Sequence, residues 1–413
     1  MREIIASIDV GSHLIKLIVA EILNNKMNIL CALEEESRGV KNGMIVEPVE
    51  VEYALKRLFN QAEEKLNTTI TKAIVDVPEG ETIFKIGEAS LTITDEDKEV
   101  TGEYIQKVLQ MSVKGNVDEG FDLVTVIPIM FKVDDRKTKI PKGMKGNSLS
   151  VKSVVISSPK KDICFIAKSL EKCGVEVSDI MIPSIGTYFA HKTENMENNT
   201  GAVIDIGYDT TKVAIINKGI IINNLVIDTG TKNIDNDISF VYKLSLKDAS
   251  KVREELGLAS RKNARVQETM EVVNNLGEKI KIDQYELSSL MMSRLHEMLN
   301  IVKNEINYLT KKEISYIIVS GGLSEQRDFD IEVESVFGPI AFIGKNNYIG
   351  ARNNKFASAI GMIKYFDSKL KLRDKDFSVF SDDDLDSLVS NGNKKAMTGD
   401  SILGKVFGIF FDN

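Results

Sequence analysis

The sequence predicts an α/β protein built on a duplicated strand–turn–strand unit, with a smaller α+β unit inserted in its first half. Three observations point there. The stretches IIASIDVGSHLIKLIV (Ile4 to Val19) and GAVIDIGYDTTKVAII (Gly201 to Ile216) repeat one pattern: apolar strand, Asp-x-Gly, polar turn, second apolar strand. From about Glu81 to Ser158 the texture changes to short strands around one helix. The chain has 413 residues, too many for a single core, so two or more domains are expected.

After the first hairpin, Arg38-Gly39 and Asn42-Gly43 mark turns. Val51, Ala54, Leu55, Leu58, Phe59, Ala62 and Leu66 then recur at helical spacing. KAIVDVPE reads as a buried strand stopped by Pro78 and Gly80. In the inserted unit, TIFKIG, SLTIT, DLVTVIPIMFKVD and SLSVKSVVIS read as strands, and Gly102 to Met111 as the helix. DICFIAKSLEKCG is a helix closed by Gly174, VSDIMIP a strand, and TENMENNTG a polar boundary loop. Beyond the second hairpin, IIINNLVIDTG reads as a strand pair. NIDNDISFVYK and SLKDASKVREELG read as helices. A Leu/Met stripe from Leu287 to Leu309 marks one long helix over Asp283 to Leu309. ISYIIVSGGLSE is a buried strand entering a glycine turn, and KFASAIGMIKYF a short apolar helix. From Lys371 the chain turns polar and charged without a sustained period, as a disordered linker does.

Composition excludes several classes. A net charge of −8 and a pI near 5.3 argue against nucleic-acid binding, which needs a basic face. No apolar run reaches the ~20 residues of a membrane span, and Asp9 interrupts what would be a signal peptide. Cys31, Cys164 and Cys173 have no metal-ligand spacing and read as reduced packing cysteines. The three histidines are scattered, against a zinc site.

The Asp-x-Gly turns have a chemical use. Gly11 and Gly207 let the backbone approach a phosphate, and successive turn N–H groups make an anion-binding concavity. Asp9 and Asp205 are placed to hold magnesium through waters. Ser12, Thr210 and Thr211 add hydroxyls, and Lys16 adds a positive charge. Each unit is expected to face one side of a central cleft. Ordinary glycine hairpins explain either turn taken singly. The third turn, Ser320-Gly321-Gly322, shifts the balance, because a flat adenine ring can lie against backbone that carries no side chains.

Hairpin, hairpin and Ser-Gly-Gly in that order resemble the superfamily of actin, sugar-kinase and heat-shock-chaperone ATPases. The resemblance implies a duplicated ribonuclease-H-like ATPase fold that binds ATP. It also implies that KVREEL is the helix at the adenine and ribose edge, with Arg253 and Glu254 there. Within that superfamily the chain resembles the bacterial division family FtsA over nearly its whole length. VKNGMIVEPVEVEYALKRLFNQAEEKL, ITDEDKEVTGEYIQKVLQ, VTVIPIMFKVDD and GTKNIDNDI carry that likeness. It implies subdomain 1A over 1–80, 159–197 and 355–370, and the inserted subdomain 1C over 81–158. Subdomain 2A follows over 198–230 and 310–354, and 2B over 231–309, with a linker over 371–399 and a membrane-targeting helix over 400–413.

Two departures stand out. The family's second turn usually reads Asp-Ile-Gly-Gly-Gly-Thr-Thr followed by Asp. Here Tyr208 and Asp209 replace two glycines, and Lys212 replaces the acid. Tyrosine is costly wherever the backbone needs positive φ. A carboxylate ~5 Å from a phosphate is repelled by roughly 3 kcal/mol at a dielectric near 20, which magnesium or Lys212 would offset. ATP binding with weak or no turnover is the expectation. In the first turn, His13 and Leu14 replace the usual Ser-Lys, so His13 either lines the pocket or lies on the surface.

On a helical wheel, Ile402, Leu403, Val406, Phe407, Ile409, Phe410 and Phe411 fill one arc. Lys405 and two glycines fill the rest. The segment is too short to span a bilayer and too short to be stable alone. A membrane interface, a groove on a partner, or the protein's own surface would each cover the arc. The preceding linker argues against the protein's own surface, because a linker serves reach, and the family's targeting helix favours the membrane. The resemblance implies a filament-forming protein that ties the C-terminal peptide of the tubulin-like FtsZ to the cytoplasmic face of the membrane at the septum. It also implies contacts with later division proteins through 1C. Arg294 matches the family's arginine for the acidic FtsZ peptide, and a solvated surface arginine explains it as well. The rivals are a sugar or acid kinase, which needs a general base the sequence does not offer, and a pilus-assembly adaptor of the same fold.

Overall fold

The structure is a computed structural model and describes residues 2–373 and residue 377. The rest of the expected linker and the whole amphipathic segment 400–413 lie outside the described residues. The chain forms two compact units. One comprises the described residues up to Ala190, with Asn347–Ala351 and those from Ser358 onward; the other comprises His191–Asn346 and Arg352–Ala357.

The first unit opens with a three-strand meander: β1 (Arg2–Val10), β2 (Leu14–Leu23) and β3 (Lys26–Glu36). Ile4, Ile5, Ala6 and Ile8 are all fully buried, as expected of a central strand covered on both faces. A small hairpin, β4 (Val40–Lys41) and β5 (Met44–Ile45), precedes α1 (Pro48–Leu66). Proline stands at the helix start, where no N–H is needed, and Asn67 ends it in the left-handed conformation at φ 53°. Its buried stripe, Val51 to Ala62, is the one the sequence spacing marks. β6 (Lys72–Asp76) then leads into the insertion.

The insertion runs β7 (Ile83–Thr92), α2 (Gly102–Val113), β8 (Phe121–Val133), β9 (Arg136–Thr138) and β10 (Ser148–Pro159). The expected two short strands at its start are one ten-residue strand, β7, paired throughout with β10. The sheet order is β7-β10-β8-β9. Ile105, Val108 and Leu109 of α2 share a core with Phe131, Leu149 and Val151 of the sheet. The parent unit resumes with α3 (Lys160–Glu171), β11 (Glu176–Met181) and α4 (Pro183–His191).

The second unit repeats the plan with β12 (Thr200–Ile206), β13 (Thr211–Asn217) and β14 (Ile220–Ile227). The stretch expected to be a strand pair is the single strand β14. Next come α5 (Thr231–Tyr242), α6 (Leu246–Glu255), the hairpin β15 (Thr269–Val273) and β16 (Lys279–Asp283), and α7 (Gln284–Leu309). β17 (Tyr316–Ser320), α8 (Phe329–Phe337) and β18 (Ala341–Ile343) complete it. The Leu/Met stripe of α7 is core: Leu287, Met291, Leu295 and Leu299 are fully buried. The last helix, α9 (Ala357–Arg373), runs past the expected end at 370, because Leu370 is buried and Leu372 packs on the insertion core.

The duplication is explicit in the sheets. One has the order β11-β6-β1-β2-β3 and the other β14-β13-β12-β17-β18. In each, three antiparallel strands of a meander continue into two parallel strands beside the first.

Candidate functional site

Both Asp-x-Gly turns close in the same way. Gly11 N donates to the Leu14 carbonyl at 3.2 Å, and Gly207 N donates to that of Thr210 at 2.9 Å. Register places Asp9 opposite Lys16 and Asp205 opposite Lys212. Lys16 Nζ lies 2.8 Å from Asp9, and Lys212 Nζ 3.9 Å from Asp205. Asp-x-Gly-x4-Lys is therefore a structural repeat as well as a sequence repeat, and it includes the lysine that departs from the usual acid.

In the first turn, the Ser12 hydroxyl accepts from Gly43 N at 2.9 Å, so it also pins the β4–β5 hairpin. His13 is exposed, and its carbonyl accepts from Ser37 N. Asp76, at the end of β6, accepts from Val10 N at 2.8 Å and fixes the strand entering the turn.

The second turn is more fully braced. No residue from Asp205 to Lys212 takes a positive φ, so Tyr208 and Asp209 fit the turn without left-handed strain. The Asp209 carboxylate is nearly buried and lies 3.1 Å from Lys232 Nζ, in the first turn of α5. Lys232 thus offsets the extra acid, a role the sequence reading gives to magnesium or Lys212. Nothing local marks this pair, which is separated by 23 residues. Thr231 N and Lys232 N donate to the Gly207 and Tyr208 carbonyls, both at 2.9 Å, which locks α5 onto the turn. Thr210 is buried, and the Thr211 hydroxyl donates to the Thr229 carbonyl at 2.7 Å.

Arg253 is buried. Its Nε lies 2.6 Å from Asp235 in α5, and its other nitrogens donate to Gln326, Ser250 and Glu254. Burial pushes the Asp235 carboxyl above its ordinary range, and the guanidinium pulls it back. Arg253 therefore ties α6 to α5 and to the segment after the Ser-Gly-Gly turn. Glu254 is the exposed partner in that group. In the glycine turn, Ser320 is fully buried and its hydroxyl lies 3.0 Å from His191 Nε2. Among three scattered histidines, no local pattern points to His191. The Cα of Gly322 faces open space: a Cβ built there meets nothing within 4 Å.

Arg294 stands apart from these turns on α7. It forms a fork with Asp237 of α5, at 2.6 and 2.9 Å, and donates to Glu297 at 2.6 Å. With Phe240, Val241, Leu290 and Ser293 these residues line a groove of about 290 Å³. Phe240 is 86% exposed, so the groove has an apolar lip beside a charged rim.

The turns suit a nucleotide better than a protein-held metal. The open face at Gly322 has room for a flat ring. By contrast, Asp9 is taken up by Lys16, and no group of three metal-ligand side chains occurs among the described residues.

Duplicated sheets of this strand order, each opening on a phosphate-type turn, define an actin-like protein. Solved structures agree at the level of fold. The chain matches MreB5 of Spiroplasma citri bound to ADP with a TM-score of 0.55, at 14% identity over 90% of this chain and 98% of that one. It matches a PilM–PilN type IV pilus biogenesis complex at 0.58, at 13% identity over 87% and 98%. Residues 202–361 match the family model of the cell division protein FtsA, and residues 82–157 match the SHS2 domain inserted in FtsA. FtsA of Bacillus subtilis is 28% identical over 88% of this chain and 83% of its own length; that of Streptococcus pneumoniae is 26% identical over 87% and 79%. The chain belongs to the FtsA family.

Proposed function

We propose that this protein is an ATP-binding, filament-forming tether that holds FtsZ at the cytoplasmic face of the cell membrane during division and receives later division proteins. Family membership and the two identically closed Asp-x-Gly turns carry the reading. The N–H groups of each turn suit phosphate, with Lys16 beside the first turn and Lys212 beside the second, and Gly321 and Gly322 offer a flat surface to the adenosine. Magnesium enters with the phosphates. Lys232 offsets the Asp209 charge so that phosphate can bind, and the departure from the family's glycine turn is expected to leave hydrolysis weak or absent. The amphipathic segment from Ile402 to Phe411 supplies the membrane foot, and self-association multiplies its weak grip. A kinase reading lacks a general base, and a pilus adaptor has no use for that foot.

Gly322→Leu tests the nucleotide site. The added side chain enters open space in the protein but occupies the proposed ring position. ATP affinity should fall at least tenfold, equivalent to about 1.4 kcal/mol, with the melting temperature unchanged. Equal ATP affinity in the variant and the native chain places the nucleotide elsewhere.

The groove beside Arg294 is the proposed seat of the FtsZ C-terminal peptide, with Phe240, Val241 and Leu290 as its apolar wall. An arginine that acts as an interface hot spot costs about 2 kcal/mol or more when truncated. Arg294→Ala should therefore weaken the peptide about tenfold or more in fluorescence anisotropy. An affinity that does not move removes Arg294 from the interface.

A further inference from the structure

The insertion carries a strong local charge that the proposed function leaves unused. Lys132, Arg136, Lys137, Lys139, Lys142 and Lys145 are all exposed on β8, β9 and the loop that follows. Asp134 and Asp135 are the acids within that stretch, and Glu99 lies against it, in a chain whose net charge is −8. Asp134 is also engaged, accepting from the backbone N–H groups of Asn147 and Ser148 at 3.0 Å.

The loop is held in shape. The Arg136 guanidinium donates to the Lys145 carbonyl, closing the two ends. The Thr138 hydroxyl and the Ile140 backbone exchange hydrogen bonds at 3.0 Å, and Pro141 is buried. Ile140 is thereby presented at the tip, 71% exposed, among the lysines.

The position of this loop in its unit gives the charge a direction. Glu99 bridges to Lys145, and Val100 exchanges backbone hydrogen bonds with Met144 and Gly143, both at 2.9 Å. Two residues on, Gly102 at the start of α2 abuts the last residue of α9: a Cβ there would stand 2.1 Å from the Arg373 carbonyl oxygen. The last residue of α9 therefore ends close to the segment that pairs with the basic loop.

We propose that this loop is a second membrane contact, binding anionic lipid headgroups through its lysines with Ile140 dipping into the interface. It rests on the membrane reading of the C-terminal segment. A cluster of four to eight basic residues next to an apolar anchor is what anionic bilayers attract, and one weak anchor gains most from such a partner. An acidic protein surface would meet the lysines but would leave the exposed Ile140 without a purpose.

The test uses the full chain and vesicles of phosphatidylcholine, alone or mixed with phosphatidylglycerol. In one variant Lys137, Lys139, Lys142 and Lys145 are each replaced by Gln, which leaves the backbone contacts in place. The variant should lose at least about tenfold affinity for the mixed vesicles, together with most of the salt dependence. It should match the native chain on phosphatidylcholine alone. Ile140→Ser should weaken binding to both vesicle types. Unchanged affinity and salt dependence on vesicles that the native chain does bind overturns the inference alone. So does lost self-association in sedimentation without lipid, paired with unchanged vesicle binding, which makes the loop a protein interface. A native chain that binds neither vesicle overturns the membrane reading, and the inference with it.

Discussion

Asp179→Ala is expected to destabilise the first unit by about 3–5 kcal/mol, the usual cost of removing one partner from a buried ion pair. Asp179 on β11 is 1% exposed and lies 2.5 Å from Lys369 Nζ on α9. Lys369 also reaches the Thr125 hydroxyl of β8 at 3.5 Å, so this carboxylate anchors the insertion, the parent sheet and the last helix together. Arg373, one turn further along α9, is half-buried, and Asp179 supports its charge. The variant leaves the buried Lys369 and the half-buried Arg373 without that carboxylate. A shift of the urea midpoint reads the effect, and a loss below about 1 kcal/mol refutes the assignment.

The same pair has a pH signature. Burial pulls Lys369 down to about 8 from its ordinary 10.5, although Asp179 opposes the shift. Between those values the unfolded chain binds more protons than the folded one, so folding is favoured as pH rises. Native stability measured against Lys369→Met should be level below pH 8 and climb from about 8 toward 10.5.

The second large effect is expected at Gly321. Its φ is +91° and its ψ 173°, a region only glycine occupies comfortably, and a Cβ would lie 2.4 Å from the Ile206 carbonyl oxygen and 2.5 Å from Asp205 Oδ1. Backbone strain alone is about 1–3 kcal/mol, and displacing β12 adds to it. Gly321→Ala should therefore lose about 3 kcal/mol or more and disturb Asp205 along with the fold. Gly322→Ala is the matched control, because open space surrounds that position; its stability should stay within about 0.5 kcal/mol of native. Equal stabilities for the two variants contradict the turn geometry.

Much of this architecture was legible in the chain because it is written locally. The repeated hairpins, the α1 stripe and the Leu/Met face of α7 depend on spacing within one element, which periodicity reveals. Pairings across long separations were not legible. Lys232 on Asp209, His191 on Ser320 and Asp237 on Arg294 join residues 23, 129 and 57 positions apart. Each pair needs the folded sheet or helix packing to bring it together. The end of α9 was missed for a related reason: its last turn reads as polar, and Leu372 becomes apolar core only once the insertion core is there to receive it. Arg253 was legible as a notable residue, while its burial against Asp235 depends on the packing of α6 on α5.

The insertion leaves and rejoins its parent through two strands that run side by side, with Ile83 facing Ser157. The host therefore meets only a narrow neck whose ends are already adjacent. A module mounted in this way can be exchanged, enlarged or recharged through evolution without re-threading the sheet beneath it.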